Sequence, residues 1–179
     1  MRAEPARARV FFALWPDAAT SAALARIASD AHARFGGRVM RRETLHLTLA
    51  FVGSIEQARI ADVAAAGDRV RARGIDLSID TLGQWENKHI VWAGPREPGN
   101  ALVALVETLR AELEAFGVAL ERRPFVPHVT LLRSAGCGNE HERLAAPLRW
   151  RADGFVLVES RLQATGAGYE TLARWPRRQ

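Results

Sequence analysis

One short pattern is written twice in this chain, as Leu45-His46-Leu47-Thr48-Leu49 and again as Pro127-His128-Val129-Thr130-Leu131. A β-strand sends successive side chains to opposite faces. In each copy, therefore, the histidine and the threonine share one face, while the apolar residues beside them fill the other. A fold that accepts two such strands must bury two apolar faces and still present two pairs of imidazole and hydroxyl. From the composition, about one histidine in a hundred is followed by an apolar, Thr, apolar triplet. Two hits among the five histidines then arise by chance roughly once in a thousand such sequences. His32, His89 and His141 lack this context and read as surface or structural residues.

The elements around the motif recur in the same order. Val10 to Trp15 reads as a buried strand stopped by Pro16, after which Asp17 caps a helix running to about Ala33. A loop with Gly36-Gly37 and the pair Arg41-Arg42 lead into a strand over 45–52, ended by Gly53-Ser54. Later, a strand centred on Ile90-Val91-Trp92 is closed by Gly94-Pro95. A helix over 100–116 follows, with Leu102, Leu105, Val106, Leu109 and Leu113 at helical spacing, and Gly117 terminates it. Arg122-Arg123 then lead into the His128 strand. Between the two copies lie a helix over about 56–72, an alternating strand over 75–79 and a turn at Gly83. After the second copy come a polar loop holding Cys137 and His141 and a hairpin of strands 155–162 and 169–175 about a turn at Gly166-Ala167-Gly168. The repeat of order predicts two similar lobes facing each other.

At 179 residues the chain fits one compact domain or two small lobes sharing a cleft. No stretch approaches the roughly 20 apolar residues that span a bilayer. The run from Val10 to Trp15 is too short for a signal peptide, so a cytoplasmic protein is expected, with a monomer as the default. Cys137 is the sole cysteine, which excludes an internal disulfide and a thiolate zinc cage; it reads as an incidental loop residue. The formal charge is +5, and Lys88 is the sole lysine. The arginine excess favours bidentate contacts to phosphate, but a coding bias that also explains the alanine excess accounts for most of it.

Two histidines facing one another suit one kind of reaction. In-line attack on a phosphodiester needs a base for the nucleophile and an acid for the leaving oxygen, which one neutral and one protonated imidazole supply near neutral pH. Thr48 and Thr130 can supply hydroxyl donors, and Arg133 a guanidinium, to the charge between them. The scheme requires no metal and no cofactor. A zinc site would have to recruit Glu43 or Asp76 as a third ligand without any spacing signal.

The pair His46-Leu47-Thr48-Leu49 and His128-Val129-Thr130-Leu131 resembles the twin motif of the two-histidine phosphoesterases. The match is closest to the bacterial and archaeal RNA 2′,3′-cyclic phosphodiesterases, formerly called 2′-5′ RNA ligases. It extends to Val10-Phe11-Phe12-Ala13-Leu14, the 45–53 segment, Pro124 to Arg133, Ser160-Arg161-Leu162 and Tyr169-Glu170. The resemblance implies an α+β fold of two pseudo-symmetric lobes, each an antiparallel sheet with helices on the outside, around a central catalytic groove. It sets a lobe with both termini, about 1–54 and 147–179, against a central lobe of about 55–146. It also implies hydrolysis of a 2′,3′-cyclic phosphate on an RNA end to a 2′-phosphomonoester, with His46 as proton donor and His128 as proton acceptor. Thr48 and Thr130 take the phosphate-binding roles, and Arg133 matches an arginine thought to contact phosphate.

Two rivals remain at this level. The same acid, base and phosphate cradle would serve small cyclic phosphates such as ADP-ribose cyclic phosphate. A non-catalytic RNA-binding module would use the groove only to hold phosphate, although arginine would serve binding better than two intact histidines. Joining ends into a 2′-5′ linkage is accessible by microscopic reversibility, with water favouring hydrolysis. Arg41-Arg42 and Arg122-Arg123 read equally as RNA-backbone contacts or as a solvated face. Phe11, Phe51 and Phe125 are stacking candidates for a base, yet each reads better as core.

Overall fold

The computed structural model describes residues 5–72, 74–121, 123–163 and 166–176. Among the described residues nine strands make one sheet: β1 Arg7–Leu14, β2 Arg38–Val39, β3 Leu47–Glu56, β4 Ile75–Trp85, β5 Ile90–Gly94, β6 Val129–Arg133, β7 His141–Ala152, β8 Phe155–Gln163 and β9 Gly166–Trp175. Their order is β7-β4-β5-β6-β3-β1-β8-β9, with β2 beside β6, and every described pairing is antiparallel. With helices α1 Ala18–Phe35, α2 Ile60–Asp68 and α3 Asn100–Ala115, the fold is α+β. The expected pair of half-sheets is present as one continuous surface, in which β3 and β6 touch through a single registered pair, Leu47 with Val129.

The alternation read from the sequence decides which face is core. Val10, Phe12 and Leu14 of β1, Leu47 and Leu49 of β3, and Val129 and Leu131 of β6 are at most 3% exposed and pack with residues of the three helices. Burying a side chain of this size contributes about 1.5–3 kcal/mol, so this face anchors the register. Phe11 and Ala13 point the other way and form a small cluster with Val156 and Val158 of β8. Helix α1 begins where Asp17 accepts the Thr20 amide at 2.7 Å. It buries Leu24, Ala28 and Ala31 and packs on β6 and β7, whereas α2 and α3 pack on each other.

Several boundaries differ from the sequence reading. Gly53 does not end β3; it takes φ +84° within the strand, opposite Val10 near a register shift, and the strand continues to Glu56. Nor is Gly83 a turn: it lies inside β4 directly under the Trp92 ring, where an added Cβ would fall 2.1 Å from a ring carbon. Its missing side chain makes room for an aromatic ring, which a turn reading mistakes for chain reversal. The segment expected as a helix over 56–72 becomes a 3-10 turn and the shorter α2. Strand β7 was unforeseen because it is an edge strand whose exposed charges and Ala145-Ala146-Pro147 hide the period of two. Gly166, Ala167 and Gly168 belong to β9, paired with β8 out to Gln163 and Gly166.

Candidate active site

Leu47 and Val129 are the residues that follow the two motif histidines, and they are the pair through which β3 and β6 meet. Antiparallel pairing at that point sets position 46 across from 130 and 48 across from 128, all on the face away from the helices. The chain thereby brings both copies of the motif to a local two-fold centre. His46, Thr48, His128, Thr130 and Arg133, the five residues singled out from the sequence, line one cavity of about 920 Å³.

Each imidazole is held from behind by main chain. Nδ1 of His46 lies 2.7 Å from the Thr44 carbonyl oxygen, and Nδ1 of His128 lies 2.7 Å from that of Val126. A carbonyl can only accept, so Nδ1 carries the proton, and the second ring nitrogen of a neutral histidine is left with a lone pair. The two rings thus share one tautomer through the same contact to the residue two positions earlier. Burial lowers the His46 pKa to about 4; its bond to Thr44 opposes the fall, and His128 and Arg133 reinforce it by charge repulsion. Burial likewise pushes His128 below its ordinary value, against its bond to Val126, with Lys88 and Arg133 adding repulsion. At neutral pH the groove of the free protein therefore presents two neutral bases.

The surroundings of the two rings differ. Phe11 and Trp15 stack on His46 at centroid distances of 4.9 and 5.1 Å, and Tyr169 meets it edge-wise at 5.2 Å. Trp85 and Trp92 stand steeply inclined to His128, at 4.6 and 6.2 Å. Much of the remaining cavity wall is basic: Arg7, Arg9, Arg38 and Arg41 line it, as does the Glu159–Arg161 ion pair at 2.8 Å. Apart from Arg41, weighed from the sequence as an RNA-backbone contact, these wall residues and Tyr169 were missed as site residues in the sequence. Period two was the available signal, because Arg7 and Arg9 share a face with Phe11.

The flanking residues have different partners. Arg41 lines the cavity and pairs with Glu43, whereas Arg42 is bound to Ser21 Oγ and the Ala18 carbonyl of α1. Arg123 pairs with Glu121 at 3.0 Å, and Arg122 lies outside the described residues. Asp76 pairs with Arg151. Phe11 is buried and Phe125 half-buried against the core, as expected, but Phe51 is 43% exposed and carries the Arg9 guanidinium 4.8 Å from its ring centre. The core reading of Phe51 fails because β3 changes register against β1 beside it, which turns the ring toward the groove. Cys137 is half-buried, its Sγ near the carbonyls of Trp85 and Ile90.

Comparison with known proteins agrees with this geometry. The family model described as LigT-like phosphoesterase matches the chain twice, over 14–92 and 93–169. The RNA 2′,3′-cyclic phosphodiesterase of Escherichia coli is 34% identical over 142 residues, covering 78% of this chain and 79% of that protein. The enzyme of the same name from Thermotoga maritima is 31% identical, with 77% and 78% covered. The crystal structure of E. coli LigT complexed with 3′-AMP superposes with a TM-score of 0.86 at 29% identity, over 97% of this chain and all of that one. Two matches to one repeat, each containing one motif strand, account for the two-fold centre, and the chain belongs to the LigT-like phosphoesterase family.

Proposed function

We propose that this protein is an RNA 2′,3′-cyclic phosphodiesterase that hydrolyses a terminal 2′,3′-cyclic phosphate to a 2′-phosphomonoester. The observation that carries the reading is the single β3–β6 pairing, which sets two imidazoles, two hydroxyls and a guanidinium around one basic cavity. His128 takes a proton from water as its oxygen attacks phosphorus. The bond to the 3′-oxygen breaks in line, and His46 protonates that oxygen as it leaves, giving a free 3′-hydroxyl and a 2′-phosphate. Thr48 and Thr130 donate hydrogen bonds to the non-bridging oxygens, and Arg133 balances the charge that builds on them.

Both histidines start neutral, so the acid must be loaded as substrate arrives. The phosphate anion supplies the negative charge that favours an imidazolium beside it and offsets the repulsion from Arg133. Similarity to enzymes named for RNA favours an RNA end over a small cyclic phosphate, as does an arginine-lined wall running beyond the histidines. An enzyme of RNA ends acts where RNA is processed, which is our reason for assigning it to the cytoplasm. Because one chain supplies both motif strands, we take it to act as a monomer. A division into a lobe of about 1–54 with 147–179 and a lobe of about 55–146 is part of the same proposal.

The test is hydrolysis of an oligoribonucleotide ending in 2′,3′-cyclic phosphate, with chelator present, by the wild-type protein and by His46→Ala and His128→Ala. The expected outcome is a 2′-phosphate product that either substitution abolishes. A wild-type protein that leaves this substrate intact refutes the assignment.

A further inference from the structure

The motif is duplicated, but its aromatic setting is not. On β1, Phe11 and Ala13 share the groove-facing side, and Trp15 follows two residues later. Ala13, with no exposed surface and only a methyl group, leaves a gap between the two rings, and the His46 imidazole occupies it. The indole of Trp15 lies within 8° of parallel to the imidazole, and Phe11 within 29°. Trp15 itself lines a separate groove with Pro16 and Asp17. Its backbone is fixed on one side by β1 and on the other by Pro16 and the Asp17 cap of α1.

We propose that Trp15 is a positioning residue for the reaction, its ring face holding the His46 imidazole in the orientation and the protonated form that proton donation requires. The proposal rests on the reading of His46 as proton donor. An imidazolium between two aromatic faces gains a cation–π attraction that a neutral imidazole lacks. His128, flanked by steeply inclined rings, has no such stack. His128 and Arg133, across the groove, oppose a proton on His46, and Arg9 on β1 and Arg41 ahead of β3 line the same cavity. The carboxylate in the cavity wall, Glu159, is paired with Arg161, and Tyr169 on β9 is a phenol. Among the described residues no other carboxylate lines the cavity, so the ring faces and the substrate phosphate are left to stabilise the imidazolium.

The experiment compares wild type, Trp15→Leu and Trp15→Phe by NMR titration of the His46 ring in saturating sulfate, a tetrahedral anion of constant charge, together with the pH profile of kcat. Trp15→Leu is expected to lower the His46 pKa by roughly 0.5–1 pH unit. The alkaline limb of kcat should move down by the same amount with KM little changed, and Trp15→Phe should restore most of the shift. A ring that merely excludes water would, once removed, admit water and raise that pKa. A rise, or a loss of kcat with an unmoved profile, overturns the proposal. If the leucine variant fails to fold, Trp15→Phe alone still decides through a smaller shift of the same sign. Failure of the reaction assignment would show separately, as wild-type inactivity on the cyclic-phosphate RNA, a result involving no Trp15 variant.

Discussion

His46, half-buried just ahead of β3, makes folding stability depend on pH in a calculable way. Replacing His46 by glutamine keeps a polar side chain of similar reach but removes the titration. In the folded protein the His46 pKa is about 4, against an ordinary value of 6.5. Between those values the unfolded chain binds a proton there and the folded chain does not. Stability from this source is therefore complete above about pH 6.5 and is lost as pH falls to and through about 4. At about 1.4 kcal/mol per pH unit, the loss by pH 4 is about 3 kcal/mol, a large part of the 5–15 kcal/mol typical of a domain. Urea unfolding followed by tryptophan fluorescence, from pH 8 down to pH 4, measures it for wild type and His46→Gln. Titrating groups elsewhere act on both proteins and largely cancel in the difference. The wild type should lose about 3 kcal/mol more than the variant, mostly below pH 6. Parallel curves would refute the claim that this imidazole is held neutral by burial.

Activity itself should follow a bell in pH and persist in excess chelator, because one histidine must be neutral and the other protonated. Steady-state rates across pH 4–9 check this, and a single sigmoid would contradict the acid and base pair. Arg133→Ala should lower kcat/KM by about a hundredfold or more, with Arg133→Lys intermediate, as expected for a guanidinium that meets phosphate through paired donors. Gly83→Ala should destabilise the fold by about 1–3 kcal/mol in denaturant unfolding, because its methyl group would strike the buried Trp92 ring, itself close to His128.

Charge placement explains more about the site than the total of +5. Arginines 7, 9, 38, 41 and 133 converge on one cavity, while others such as Arg34 and Arg59 are tied to Glu142 and Asp62 on the outside. A compositional bias toward arginine could supply the residues; strand alternation decided which of them face the groove. Burial is the main cause of both lowered histidine pKa values, and the positive charge of Arg133 lowers them further. Binding of an anion and loading of the acid are thus linked through one electrostatic field.

The α+β class came with the family resemblance; the chain alone made legible the capped helix after Pro16, the apolar faces of the motif strands and the candidates His46, Thr48, His128, Thr130 and Arg133. Each of these follows from local rules: period two in strands, side-chain capping, and the donor and acceptor chemistry of histidine, threonine and arginine. Tertiary structure decided what depends on a partner distant in sequence. Gly53 reads as a strand end and Gly83 as a turn until β1 and the Trp92 ring are placed against them. Strand β7 is a strand because β4 offers it an edge, and Phe51 faces the groove because two strands slip register beside it. Above all, the two motifs are equal in sequence and unequal in space: His46 lies between Phe11 and Trp15 because Ala13 leaves a gap on the neighbouring strand. Side-chain period is a property of one strand, whereas register and the environment of a ring are properties of neighbours, and only folding selects the neighbours.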